Sequence, residues 1–369
     1  MKSFLRCYHL HFTAILLSIL STGGSLQAQD ARLSQPWTTP LMINPALSGD
    51  FDGYVRVGGL TSYQENKVNK VAHQYGYLDN RVVRKNKDSL NAYWGLGLSY
   101  YQYGDDPFGF YKNRSPINAR FYSLSLSYNF NLDKKKQHSM GFGLQASNVN
   151  GKLNESRGEY SKEISGGGFD YLNLNYPLVV NPAPKDKNYQ DFNVGMYYRY
   201  RSETVTMQTG LSLFHIGNPS NDLVRPNGES KEHHRAVMHV TLEIKTNPRN
   251  ALIFKNIYYS EGLYYTSSDP DNNQAIANWM GIEVQRLRPR NGVFAHYGMY
   301  TRSFKTIMPY LSIHWGRNMN TRFSYEKPIN LKFNSFTYNA NRLEMAMIFT
   351  FYDKSKEARR MTPTSGIGW

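Results

Sequence analysis

Apolar and polar residues take turns along most of this chain, most clearly from Asn118 to Asn150. Tyr122, Leu124, Leu126, Tyr128 and Phe130 alternate with Phe121, Ser123, Ser125, Ser127 and Asn129, a period of two that predicts a strand with two chemically different faces. A charged turn from Asp133 to Gln137 follows. Phe142, Leu144 and Ala146 then alternate with Gly141, Gly143, Gln145 and Ser147, which predicts an antiparallel hairpin. Two settings produce such a hairpin. In a soluble sandwich the apolar face meets a core; in a membrane barrel it meets lipid, and small polar residues line the interior. Strands of roughly 11 residues suit a tilted bilayer crossing, against about 5 to 6 in soluble proteins. Tyr and Phe near the strand ends suit an interfacial girdle.

The alternation recurs and predicts about fourteen strands, near 53–64, 70–79, 91–104, 118–131, 138–150, 190–201, 203–216, 234–246, 250–262, 276–288, 292–303, 306–317, 319–327 and 340–352. The connections between them alternate in length. Asp105 to Ile117, Gly151 to Gln190, Gly217 to His233, Leu263 to Ala275 and Pro328 to Asn339 are long; Arg201-Ser202, Thr246 to Arg249, Pro289 to Asn291 and Gly316 to Asn318 are short. A barrel with both termini in the periplasm puts the long set outside and the short set in the periplasm, whereas a sandwich has no reason to segregate them. The expected fold is therefore all-β, a transmembrane outer-membrane β-barrel spanning 53–352. An even strand count closes the sheet and leaves no edge. The segment Gly151 to Gln190, with Phe169, Tyr171 and Tyr176, has the length of a functional loop, either a plug folded into the lumen or a contact surface above the rim.

Composition sharpens this picture. The 369 residues include 29 Tyr, 19 Phe and 5 Trp, while charged residues make up only 19%. A mean hydropathy of -0.59 excludes a helical membrane protein and suits a barrel whose strands are half polar. Residues 1–28 read as a secretory signal: Lys2 and Arg6, an apolar run from Phe12 to Leu20, and Leu26-Gln27-Ala28 before the cut. That leaves 29–52 as an N-terminal periplasmic segment and 353–369 as a periplasmic tail. Cys7 is the sole cysteine and would leave with the signal, so no disulfide or thiolate site is expected.

Loss of Lys2 and Arg6 takes the formal charge from +15 to +13, a balance that favours anionic lipid headgroups or an acidic protein surface. Nucleic acid is not expected as a partner of an exported chain. Basic residues gather near the turns assigned to the periplasm: Arg81, Arg84, Lys85, Lys87, Lys134, Lys135, Lys136, Arg199, Arg201, Lys245, Arg249, Arg286, Arg288, Arg290, Arg317 and Arg322. They read as solvation with headgroup pairing, or as a docking face for an acidic periplasmic partner, with Lys134, Lys135, Lys136, Arg288 and Arg290 as candidate contacts.

Sites for chemistry are sparse. His233, His234 and His239 form the one histidine cluster, and strand spacing sets His234 opposite the other two, so no metal site is expected. There is no GxSxG, Walker loop, dinucleotide fingerprint or HExxH; neither an enzyme nor a cofactor is expected. Arg56, Glu243, Glu283, Arg322, Arg342 and Glu344 fall on the interior face, as opposite charges paired across the lumen or as a selectivity ring.

The stretch after the cut reads Gln29-Asp30, Leu33-Ser34-Gln35, then Met42-Ile43-Asn44-Pro45-Ala46-Leu47-Ser48-Gly49. Its turn formers fix the approach to strand one. With the hairpin MGFGLQAS, the segment Asp191 to Arg199, Gly210 to Ile216 and the closing Asn341-Arg342-Leu343-Glu344, it resembles the PorP/SprF family of the type IX secretion and gliding-motility apparatus. The motif positions are Gln35, Asn44, Pro45, Ala46, Gly49, Asn341, Arg342 and Glu344. The resemblance implies a non-enzymatic outer-membrane barrel that assists secretion or surface attachment of a partner protein with a type IX C-terminal signal domain. It also implies association with periplasmic motor and ring components. A general or substrate-selective porin is the alternative.

Overall fold

The computed structural model describes residues 33–65, 70–82, 92–104, 117–153, 186–217, 219, 234–247, 250–261, 276–286, 292–316, 318–329 and 341–352. These residues form fourteen strands: β1 (Val55–Glu65), β2 (Lys70–Val82), β3 (Ala92–Gly104), β4 (Ile117–Asn131), β5 (His138–Leu153), β6 (Asp186–Arg201), β7 (Val205–Phe214), β8 (Arg235–Asn247), β9 (Asn250–Glu261), β10 (Ile276–Arg286), β11 (Val293–Arg302), β12 (Thr306–Trp315), β13 (Met319–Pro328) and β14 (Asn341–Phe351). Each pairs antiparallel with its sequence neighbours. β14 closes the barrel on β1, with Val55 opposite Phe351 and Glu65 opposite Asn341. No helix among the described residues is long and apolar enough to cross a membrane; the crossing is made by strands.

Every expected strand is present. The main difference lies in β5 and β6, which run on to Leu153 and from Asp186, so that the β5–β6 pairing persists to Lys152 opposite Asp186. The apolar alternation fades there, but the backbone ladder does not need it. Pro309 supplies no N–H, and the β12–β13 register skips from Ile307 to Tyr310 beside it.

The two faces of the wall differ as the alternation demands. On β5, Phe142 and Leu144 are 46% and 61% exposed, while inward Gln145 and Ser147 are buried. The same holds around the ring, where Leu98, Leu124, Leu211, Ile282, Leu343 and Met345 stand outward. So wide an apolar surface marks a wall meant for hydrocarbon rather than water.

β1 begins and β14 ends at one end of the barrel, which also carries the connections 132–137 and 202–204 and the facing ends of β8 and β9 and of β12 and β13. At the opposite, far end β3, β5, β9 and β13 finish and β4, β6, β10 and β14 start. One tight turn, Ser303 to Lys305, also lies at the far end, with Ser303 and Phe304 at positive φ.

Candidate functional site in the barrel bore

The bore is filled by the chain's own residues 33–51. Expected as a periplasmic segment, they enter at the end where β1 begins and run up the interior. Leu41, Ile43, Ala46 and Leu47 are fully buried, and Trp37 is nearly so. Pro36, Pro40 and Pro45 break this stretch into three short helical turns, Pro36–Thr38, Pro40–Ile43 and Pro45–Leu47. A segment this apolar could not rest in water. Burying Leu41, Ile43 and Leu47 stabilises the inserted position by about 1.5–3 kcal/mol each, against about 1 kcal/mol for a typical hydrogen bond. Apolar burial therefore holds the segment in, and hydrogen bonds set its position.

Room for it comes from glycines at inward positions. A Cβ on Gly143 of β5 would overlap the backbone nitrogen of Ala46, and one on Gly195 of β6 the side-chain oxygen of Asn44. Asn44 is thereby placed to cap its own turn, accepting from Ala46 N–H at 2.9 Å, and to donate Nδ2 to the carbonyls of Met196 (2.9 Å) and Leu211 (3.2 Å).

Polar anchors hold both ends. Deepest in the bore, the Glu344 carboxylate accepts the N–H groups of Ser34 and Gln35 at 2.7 Å each, and Gln35 Nε2 donates to Ser324 Oγ at 2.8 Å. Trp37 stacks on Tyr300 with centroids 3.9 Å apart, and Lys255 Nζ lies 5.5 Å from the Trp37 ring centroid. At the entry, Asp50 pairs with Arg199 and accepts from Gln208 Nε2 at 3.0 Å. Burial pushes the Asp50 carboxyl up, but Arg199 and Arg81, with the Gln208 hydrogen bond, more than offset it and hold it below its ordinary value. Arg81 donates Nε to the Gly49 carbonyl at 3.1 Å and Nη2 to that of Phe51. Gly49, at φ +69°, donates its N–H to Asp79, which is held bidentately by Arg56 at 2.9 and 2.8 Å.

The interior charges expected from the sequence all face the bore: Arg56, Glu243, Glu283, Arg322, Arg342 and Glu344 are buried. Arg56, Glu283 and Glu344 find partners other than a charge across an open lumen. Arg56 pairs with Asp79 on the adjacent strand, Glu283 with Lys255 at 2.9 Å on the adjacent strand, and Glu344 with the inserted segment. An occupied bore leaves adjacent strands and the segment as the near partners. His296 and His314 stack at 4.5 Å beside the Glu283 cluster. Among the described residues no group of three His, Cys, Asp or Glu could hold a metal.

Of the motif positions, Gln35, Asn44, Pro45, Ala46 and Gly49 meet inside the bore with Arg342 and Glu344, while Asn341 is exposed at the start of β14. Lys134, Lys135 and Lys136 are exposed on the β4–β5 turn. Arg81 and Arg199, expected on a basic turn face, instead point inward to the segment. Phe169, Tyr171, Tyr176, Arg288, Arg290, His233, residues 1–28 and the 353–369 tail lie outside the described residues. Residues the sequence reading missed are Asp50, Arg199, Asp79 and the glycines under the segment. Their one signal is the recurrence of inward glycine in WGLGLSY, MGFGLQAS and NVGMYY.

The fold is similar to that of the Ralstonia pickettii toluene transporter TbuX (TM-score 0.46, 11% identity, covering 90% of this chain and 96% of that one). It is similar also to the Pseudomonas putida toluene transporter TodX (TM-score 0.43, 8% identity, 89% and 94%). No curated protein matches the chain. The family model described as type IX secretion system membrane protein PorP/SprF matches residues 25–347. A barrel wall that faces lipid, motif residues gathered in its bore and a family match over most of the sequence agree: the chain belongs to the PorP/SprF family of type IX secretion system membrane proteins.

Proposed function

We propose that this chain is a closed, non-enzymatic outer-membrane barrel that assists secretion or surface attachment of a partner protein bearing a type IX C-terminal signal domain. The observation that carries this reading is the occupied bore: residues 33–51 fill it and are hydrogen-bonded at both ends. A sealed barrel suits a scaffold that receives or retains a protein better than a conduit for solutes. The end bearing the Lys134 to Lys136 turn is assigned to the periplasm, where its charge suits an acidic surface on a motor or ring component. The C-terminus is assigned to that compartment as well, whereas the start of the segment, expected there too, reaches Glu344 deep in the bore.

Mild-detergent extraction followed by affinity purification tests the proposal. Recovery of a large secreted protein with a type IX C-terminal domain, or of periplasmic motor subunits, is the expected result. Recovery of the barrel alone, together with steady ion conductance, would overturn it in favour of a porin.

A further inference from the structure

The outer wall carries a built recess whose chemistry nothing above uses. Between β2 and β6 it has a volume of about 650 Å3, and Leu78, Leu98, Leu124 and Phe192 are exposed around it. It is a hollow because small residues stand among large ones: Ala146 lies opposite Leu124, and Gly76 opposite Tyr100. Towards the far end the apolar surface gives way to Tyr122, Asn148 and Gln190, paired side by side across β4, β5 and β6. Two residues further along the same strands come Arg120, Asn150 and Asn188, which line a second, polar recess of about 230 Å3.

Going along the wall, the order is thus hydrocarbon-lined hollow, aromatic and amide row, cationic ledge. A bilayer presents the matching order of acyl chain, interface and headgroup. Arg120 is exposed and, among the described residues, has no acidic partner. Lys152 lines this second recess as well, and Arg120 is the cation one rung closer to the amide row. We propose that this double recess is a specific site for one phosphate-bearing, acyl-chained lipid, its chain in the hollow floored by Gly76 and Ala146 and its phosphate on Arg120. A guanidinium is suited to phosphate because its fork of donors matches two oxygens at once.

Native mass spectrometry of the full chain in neutral detergent tests the site. Dipalmitoyl phosphatidylglycerol is compared with dipalmitoylglycerol, which has the same chains and no phosphate. The expected result is retention of phosphatidylglycerol by the wild type, weakened about tenfold or more in Arg120→Gln, as loss of one charge-assisted hydrogen bond implies. Gly76→Leu should weaken it too, and because nothing lies within 4 Å of a Cβ there, that variant fills the hollow without disturbing the wall. Equal binding by Arg120→Gln and wild type would overturn the proposal, as would equal binding of dipalmitoylglycerol. Competition by inorganic phosphate alone would make this a free-anion site and overturn the lipid assignment. So would a polypeptide crosslinked to a photoreactive group at Tyr122 that excludes the lipid.

Discussion

Glu344 on β14 accepts the backbone N–H of Gln35, 2.7 Å away, and that of Ser34 at the same distance, so one wall carboxylate fixes the deep end of the inserted segment. Glu344→Ala leaves two buried donors without their acceptor, at a cost of about 1–3 kcal/mol each. The expected outcome is a lower thermal midpoint in detergent. Glu344→Gln, which keeps one acceptor oxygen, should fall between the two.

Gly143 and Gly195 bear on the same segment from the other side. A side chain at either meets Ala46 or Asn44, yet each residue's own ladder bonds are backbone bonds and survive substitution. Gly143→Leu is therefore expected to displace the segment while the barrel still forms. In an Ala46→Cys background the thiol should resist a polar maleimide. Adding Gly143→Leu should make it react.

Asp50 gives the plug a pH dependence of defined sign. Its carboxyl is held below the ordinary value in the folded chain, so its contribution is present above the unfolded pKa of about 3.9 and is lost as pH falls through the lower, folded value. Asp50→Asn should be less stable at neutral pH by about 3–5 kcal/mol, the cost of breaking a buried pair. Its stability should also vary less than that of the wild type as the medium is acidified below about pH 4. Thermal unfolding across that interval reads both effects.

The three exposed lysines of the β4–β5 turn separate binding from stability. Replacing Lys134, Lys135 and Lys136 together by Glu should shift stability by no more than about 0.5 kcal/mol per site, as for other surface changes. Co-purification of periplasmic partners should fall and lose its dependence on salt. Unchanged recovery at every ionic strength would remove this turn from the docking surface.

The wall could be read from the sequence because a strand's two faces are written locally. Tyr122 to Phe130 and Leu343 to Phe351 each state their own orientation. The plug could not be read that way. Residues 33–51 have no period, and their burial depends on partners such as Glu344, some 310 positions away. The apolar Trp37, Leu41, Ile43 and Leu47 among prolines were visible, as were inward Gly143 and Gly195, but only the closed barrel brings the two sets together. The basic turns misled for a related reason. Arg81 and Arg199 sit near strand ends, but strand parity turns them towards Gly49 and Asp50.

Planar-bilayer recording on the purified full chain tests the sealed bore most directly. The wild-type barrel is expected to be silent, with conductance appearing when Gly143→Leu drives the segment out. Steady conductance from the wild type, unchanged in that variant, would contradict a sealed bore.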